Sequence, residues 1–260
     1  MRDRGEKIWT YLILLGGLFL RFAILFASVL KLSLIKGDYY KGLARDNKVF
    51  ESVIPAARAT ILDRKGRTIA ESIYQYFRVE DGNKIYYGSG DFDGYNFEGK
   101  DLAYEIKRSY PYGESMAFVT GYVSKVNKTD LRNNKCQSKL SNNDFVGRGG
   151  IEGYLDCELR GANGKRLVEV DARGNYIREL GREEPEIKED ITLSIDAYWQ
   201  KRIYDLLDGR KAVVIISDPY TGKILNFVSS PSFDPNVFSY KRDNEKIEEY
   251  LNDRENFPML

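Results

Sequence analysis

The chain has 260 residues, enough for one or two cored domains. Lys plus Arg total 40 and Asp plus Glu 39, and no basic stripe with interleaved aromatics stands out, which argues against a nucleic-acid partner. Histidine is absent. That removes Ser-His-Asp and Cys-His mechanisms and every His-ligated zinc or iron site, so a nucleophile would need lysine or a carboxylate as its base.

The first element is the apolar run Ile8–Leu30, 23 residues, long enough as a helix to cross a hydrocarbon core at ~1.5 Å per residue. Trp9 and Tyr11 stand at its start, where aromatic rings favour an interface. No A-x-A site follows it, which predicts a retained signal anchor, with residues 1–7 cytoplasmic and the bulk of the chain outside. Arg21 lies inside the run, at a cost of at least ~2.5 kcal/mol. A tilted helix would let it snorkel; the other reading is a polar contact with a partner helix.

Residues 31–51 predict a juxtamembrane helix. The run from Ile54 to Ala70 reads as two β-prone stretches around Asp63-Arg64-Lys65-Gly66, whose glycine suits a hairpin turn. Residues 85–100, rich in Gly, Asp and Tyr, read as loop. Asp91, Asp93, Asn96 and Glu98 fall there but miss EF-hand spacing, so no metal is expected. Gly161–Gly164 is no P-loop, and Gly147-Arg148-Gly149-Gly150 precedes no long helix; both read as turns. Residues 166–180 alternate like a strand pair around Arg173-Gly174. Cys136 and Cys157 flank 20 residues; a disulfide and two unpaired thiols both fit, and metal spacing does not.

The acidic, proline-containing stretch Glu183–Asp190 predicts a linker. After it, Ser194 can cap a helix carrying Trp199, Ile203 and Leu206 on one face. Lys211–Ser217 reads as a buried strand, Asp218–Gly222 as a tight turn, Lys223–Ser229 as the returning strand, and Asn244–Asn252 as helix.

Several phrases, in order, resemble the non-catalytic half of class B penicillin-binding proteins. R-G-x-I-x-D-R-x-G is met by Arg58, Ile61, Asp63, Arg64 and Gly66, with Ala59 replacing the first glycine. R-x-Y-P-x-G, followed by G-Y-V, is met by Arg108, Tyr110, Pro111, Gly113 and Gly121-Tyr122-Val123. G-x-x-G-[IL]-E is met by Gly147, Gly150, Ile151 and Glu152. Residues 212–236, AVVIISDPYTGKILNFVSSPSFDPN, resemble the opening hairpin of the family's transpeptidase domain. The wording is most similar to the elongation type, penicillin-binding protein 2.

The resemblance implies an α+β chain: transmembrane anchor 8–30, mostly β pedestal 31–188, and the start of an α/β serine-transpeptidase domain at 189–260. It implies that the three pedestal phrases pack together; a buried Arg58 would then need a carboxylate such as Glu152, and the other reading leaves both as surface charges. It implies a role in peptidoglycan cross-linking, no cofactor, and as partners a membrane-embedded glycan polymerase, the cell-elongation machinery and peptide stems. The family's S-x-x-K nucleophile would follow Leu260. Ser28-x-x-Lys31 and Ser33-x-x-Lys36 lie in or against the membrane segment, Ser141-Asn142-Asn143 precedes the transpeptidase-like part, and no K-T-G occurs. No catalytic residue is therefore assigned, and activity of the isolated chain is not expected. The competing reading is a non-catalytic membrane scaffold for a glycan polymerase. Only 37 residues separate Ala70 from Arg108, fewer than is usual for the family, which predicts a reduced head subdomain. Residues after about Glu186, one helix and two strands of a larger sheet, are expected to be loosely packed.

Overall fold

A computed structural model describes residues 3–31, 49–80, 83–86, 103–170, 176–239, 243–256 and 258–259. The expected juxtamembrane helix falls largely outside these residues, as do the four candidate calcium residues and the Arg173-Gly174 turn.

The chain divides into two compact units, Met1–Ser52 with Arg166–Arg182, and Val53–Lys165 with Glu183–Leu260. The first contains helix α1 (Asp3–Leu30) and most of a three-stranded sheet in the order β1 (Val49–Ile54), β8 (Gly164–Val170), β9 (Tyr176–Glu183). Every side chain described from Leu15 to Phe26 of α1 is exposed, with Phe19 at 76% and Phe22 at 70%. Arg21 is among them. Among the described residues no helix is long and apolar enough to cross a membrane.

The second unit holds the main core. The hairpin predicted around Gly66 forms between β2 (Ile61–Leu62) and β3 (Thr68–Glu80). Gly66 has φ +76°, a region that other residues enter at a cost. Strand β3 then pairs antiparallel with β4 (Asn83–Tyr86) and, from Glu71 to Phe77, with β5 (Ala103–Ser109). Strand β10 (Ile191–Thr192) adds in parallel to β2, matching Ile191 with Ile61. The short elements α2 (Glu114–Thr120), β6 (Tyr122–Lys125), α3 (Lys128–Arg132), β7 (Phe145–Arg148), α4 (Gly150–Tyr154) and α5 (Asp156–Leu159) follow β5 in chain order. Beyond β10 come α6 (Ala197–Leu207), the hairpin of β11 (Ala212–Ser217) and β12 (Ile224–Ser230), a 3-10 turn at Pro235–Phe238, and α7 (Asn244–Asn252). This is a mixed α+β architecture.

One apolar cluster gathers Ala59, Ile61, Ile69, Ala70, Tyr110, Met116 and Leu159 with Ile195 and Ala197. A second joins Ala117 of α2 to Phe233, Val237 and Phe238. Residues on both sides of the expected linker thus share the same interior. The expectation of loose packing after Glu186 does not hold in this structure, because β10, α6 and β12 are laid on β2 and α2 as part of one core.

Two local expectations are also corrected. Asp196, not Ser194, caps α6: its carboxylate accepts from the Tyr198 and Trp199 amides, while Ser194 Oγ donates to Ile224 O. The cap turns the helix so that Ala197 and Gln200 are buried, leaving Trp199 55% and Leu206 74% exposed. Strand β11 is not buried, with Val213 61% and Ile215 58% exposed, because its sheet has two strands only among the described residues.

Candidate functional site

The three pedestal phrases meet at a carboxylate. Glu152, on α4, is fully buried. It accepts from Arg58 Nε at 2.8 Å on one oxygen and from Arg108 Nε at 2.7 Å on the other, with Tyr110 Oη at 3.4 Å. Arg58 also donates to Asp156 Oδ1 at 2.8 Å and to Glu152 O at 3.2 Å. The two arginine side chains are 8% and 2% exposed. Burial opposes the charge on Arg58, but Glu152 and then Asp156 outweigh it and hold its pKa above the usual arginine value. Burial and the same glutamate push the Tyr110 phenol well above its usual range, so it stays protonated.

Local sequence explains the placement. Gly147 sits where a Cβ would lie 1.8 Å from Glu152 O, so only glycine lets β7 press against α4. Gly150 opens α4 and abuts the backbone at Thr120 and Gly121. Gly113 opens α2, its amide donating to Tyr110 O at 3.0 Å. Pro111 is exposed in the turn between β5 and α2.

A second cluster surrounds Asp63, also fully buried. Its carboxylate accepts from the Lys65 and Arg67 amides at 2.8 Å, Arg67 Nε at 2.7 Å and Ala197 N at 3.1 Å. Arg67 reaches on to Asp196 at 2.5 Å. Burial alone would raise the Asp63 pKa, but the Arg67 side chain and these amides bring it down to about 2. Arg64 is exposed and contributes through its backbone, donating to Ile195 O at 3.0 Å.

Two amide side chains complete the arrangement. Asn236 accepts from Tyr110 N at 2.9 Å and donates to Tyr110 O at 3.0 Å. Gln200 donates to Phe227 O at 2.6 Å and Ser115 O at 3.0 Å and accepts from Phe227 N at 2.9 Å. Arg108 N donates to Ser239 Oγ at 2.9 Å. Sequence reading gave no site role to Arg67, Asp156, Asp196, Gln200 or Asn236. Arg67 meets Asp63 across the tight turn at Gly66, and the others have at least one partner far away in the chain. Cys136 and Cys157 are joined by a disulfide.

Chemically this is a set of clamps. Arginines saturate buried carboxylates, and amides close over backbone groups that would otherwise be unpaired. Among the described residues no group of three or more Asp, Glu, Cys or His side chains is placed to hold a metal ion. Ser28 Oγ donates within α1 to Ile24 O, and Lys31 is exposed at the helix end.

Residues 92–193 match the penicillin-binding protein dimerisation domain. The peptidoglycan D,D-transpeptidase MrdA of Escherichia coli K12 is 38% identical over 169 residues, 64% of this chain and 26% of that protein. The MrdA of Haemophilus influenzae is 29% identical over 287 residues, 91% of this chain and 44% of that protein. Over these residues the chain is similar to the elongation-type class B penicillin-binding proteins. A solved peptidoglycan synthase complex that coordinates polymerization and crosslinking aligns with the whole of this chain at TM-score 0.66 and 26% identity, over 52% of the solved chain. Penicillin-binding protein 2 of Helicobacter pylori, solved in complex with MreC, shares the fold at TM-score 0.60 and 20% identity, over 82% of this chain and 48% of its own. The chain spans about a quarter to under half the length of the curated relatives it matches.

Proposed function

We propose that this chain is the membrane anchor and pedestal of a peptidoglycan D,D-transpeptidase that cross-links peptide stems of the cell wall during elongation. The observation that carries the reading is the shared core. The pedestal phrases close around Glu152 and Asp63, and residues 190–239, the transpeptidase-like part, are clamped to them through Ala197, Asn236 and Ser239. A pedestal built this way hands its orientation to whatever domain continues from β11 and β12. In this reading no residue of 1–260 is assigned as the acyl-transfer nucleophile, because among the described residues no S-x-x-K, S-x-N and K-T-G elements are brought together.

The anchor reading rests on the sequence of Ile8–Leu30, a 23-residue apolar run. Apolar side chains exposed on all sides from Leu15 to Phe26 suit lipid. In this reading residues 1–7 are cytoplasmic, residues 31–188 form the pedestal and residues 189–260 begin the transpeptidase domain. The partners are a membrane-embedded glycan polymerase and the elongation machinery, in line with the complexes in which the two solved neighbours occur.

The test is fluorescent-penicillin labelling of membranes from the source cell, with an antibody to residues 100–180 on the same gel. A labelled, antibody-positive band much larger than 29.9 kDa is the expected result. A single unlabelled band near that mass would overturn the reading in favour of a non-catalytic scaffold.

A further inference from the structure

The disulfide joins two particular pieces. Cys157 lies on α5, the four-residue helix that also carries Asp156. Asp156 Oδ1 accepts from Arg58 Nη1 and from Gly147 N, each at 2.8 Å, and Oδ2 stands 3.6 Å from Arg160 Nη2. Cys136 lies between α3 and β7, in a segment shaped by Asn134. The Asn134 side-chain oxygen accepts from Cys136 N at 3.2 Å and from Arg160 Nη2 at 2.9 Å, and its amide donates to Ser138 O at 2.7 Å.

A helix this short cannot hold its own register in water and depends on whatever pins it. On the inside the pin is Leu159, fully buried, whose carbonyl accepts from Ala59 N at 2.9 Å. At the half-buried side it is the bridge to Cys136. Among the described residues Arg160 Nε and Nη1 are buried without a hydrogen-bond partner, so Asp156 and Asn134 are what hold that guanidinium in place.

We propose that the Cys136–Cys157 bridge is a maturation step on which the pedestal ion network depends, installed by thiol–disulfide exchange outside the cytoplasm. One cysteine thiolate attacks a disulfide of the oxidant and forms a mixed disulfide. The second cysteine then displaces the oxidant, which leaves as a dithiol carrying the two electrons, so protons and electrons balance. In the dithiol form α5 loses its outer pin, and Asp156 lets go of Arg58, Gly147 and Arg160. The compartment half rests on the reading that everything past α1 lies outside the cytoplasm. The network half stands without it.

Two measurements separate the halves. Intact source cells are quenched and treated with a mass-tagging maleimide before and after reduction. No tag before reduction and two after are expected; two tags on the unreduced protein would overturn the exchange step while leaving penicillin labelling untouched. The purified full chain is then melted and digested with trypsin, with and without a phosphine reductant. Reduction should lower Tm by roughly 5–10 °C and speed cleavage after Arg148 and Arg160 severalfold. A Tm and digestion rate unchanged by reductant would overturn the dependence of the network on the bridge. Reducing the folded wild-type chain keeps this test decisive even if Cys136→Ser/Cys157→Ser fails to fold.

Discussion

At the scale of single residues, Glu152 is the most consequential side chain. It is shared by two buried guanidiniums, so its removal leaves Arg58 with Asp156 alone and takes the carboxylate from Arg108. Glu152→Gln should lower the free energy of unfolding by ~3–5 kcal/mol in denaturant titrations. Equal stability of Glu152→Ala, Arg58→Ala and the parent would instead reduce the pair to surface charges worth under ~1 kcal/mol. Asp63 carries a pH signature. Its carboxyl falls from an ordinary 3.8 to about 2 on folding, so its stabilisation is complete above 3.8 and is lost as pH drops through 2. That amounts to about 2 kcal/mol. The acid limb of the stability–pH curve should flatten by this amount in Asp63→Asn. Arg58 and Glu152 were legible as a pair because two family phrases carry them. Asp156 was hidden because its partners lie 98 and 9 residues away.

Among elements, α6 shows how one polar residue can decide which way a helix faces. Periodicity favoured an apolar stripe of Trp199, Ile203 and Leu206, but with Asp196 capping and Gln200 buried only Ile203 of the three is half-buried, and Trp199 and Leu206 face out. Gln200 saturates both backbone groups of Phe227 and the carbonyl of Ser115. Replacing it with leucine leaves those groups buried and unpaired, at about 1–3 kcal/mol. Hydrogen exchange at the Phe227 amide in Gln200→Leu should accelerate accordingly, and unchanged protection would show that the clasp is dispensable. The hairpins around Gly66 and Asp218–Gly222, and the helix at 244–252, were readable because their signals are local: a positive-φ glycine, an Asx turn and a capped periodic run.

At the scale of the whole molecule, the segment after the acidic stretch Glu183–Asp190 completes the pedestal core. Fragment 31–188 would lose the parallel partner of β2, the Ala197 amide on Asp63, and Ile195 from the main cluster. We expect it to be protease-sensitive and to melt without a cooperative transition, while the full chain resists digestion through Phe238. A compact, resistant 31–188 fragment would contradict the shared core. Arg21 is tested at the same scale. Arg21→Leu should leave membrane insertion intact and weaken co-purification with a polymerase partner; undiminished co-purification would assign the guanidinium to snorkelling alone.

The sequence by itself carried the resemblance to penicillin-binding proteins, the mixed α+β character and the local hairpin and helix signals around Gly66, Asp218–Gly222 and 244–252. These signals are carried by short phrases and local periodicity, which survive without knowledge of neighbours. Only the tertiary structure decided which face of α6 is buried, that β11 is open, that Asp63 reaches Arg67, Asp196 and Ala197, and that the two sides of the acidic stretch form one core. Those outcomes depend on contacts between residues as far apart as Asp63 and Ala197, 134 positions along the chain. No local propensity encodes such a pairing; it follows from where burial brings a carboxylate and an amide together.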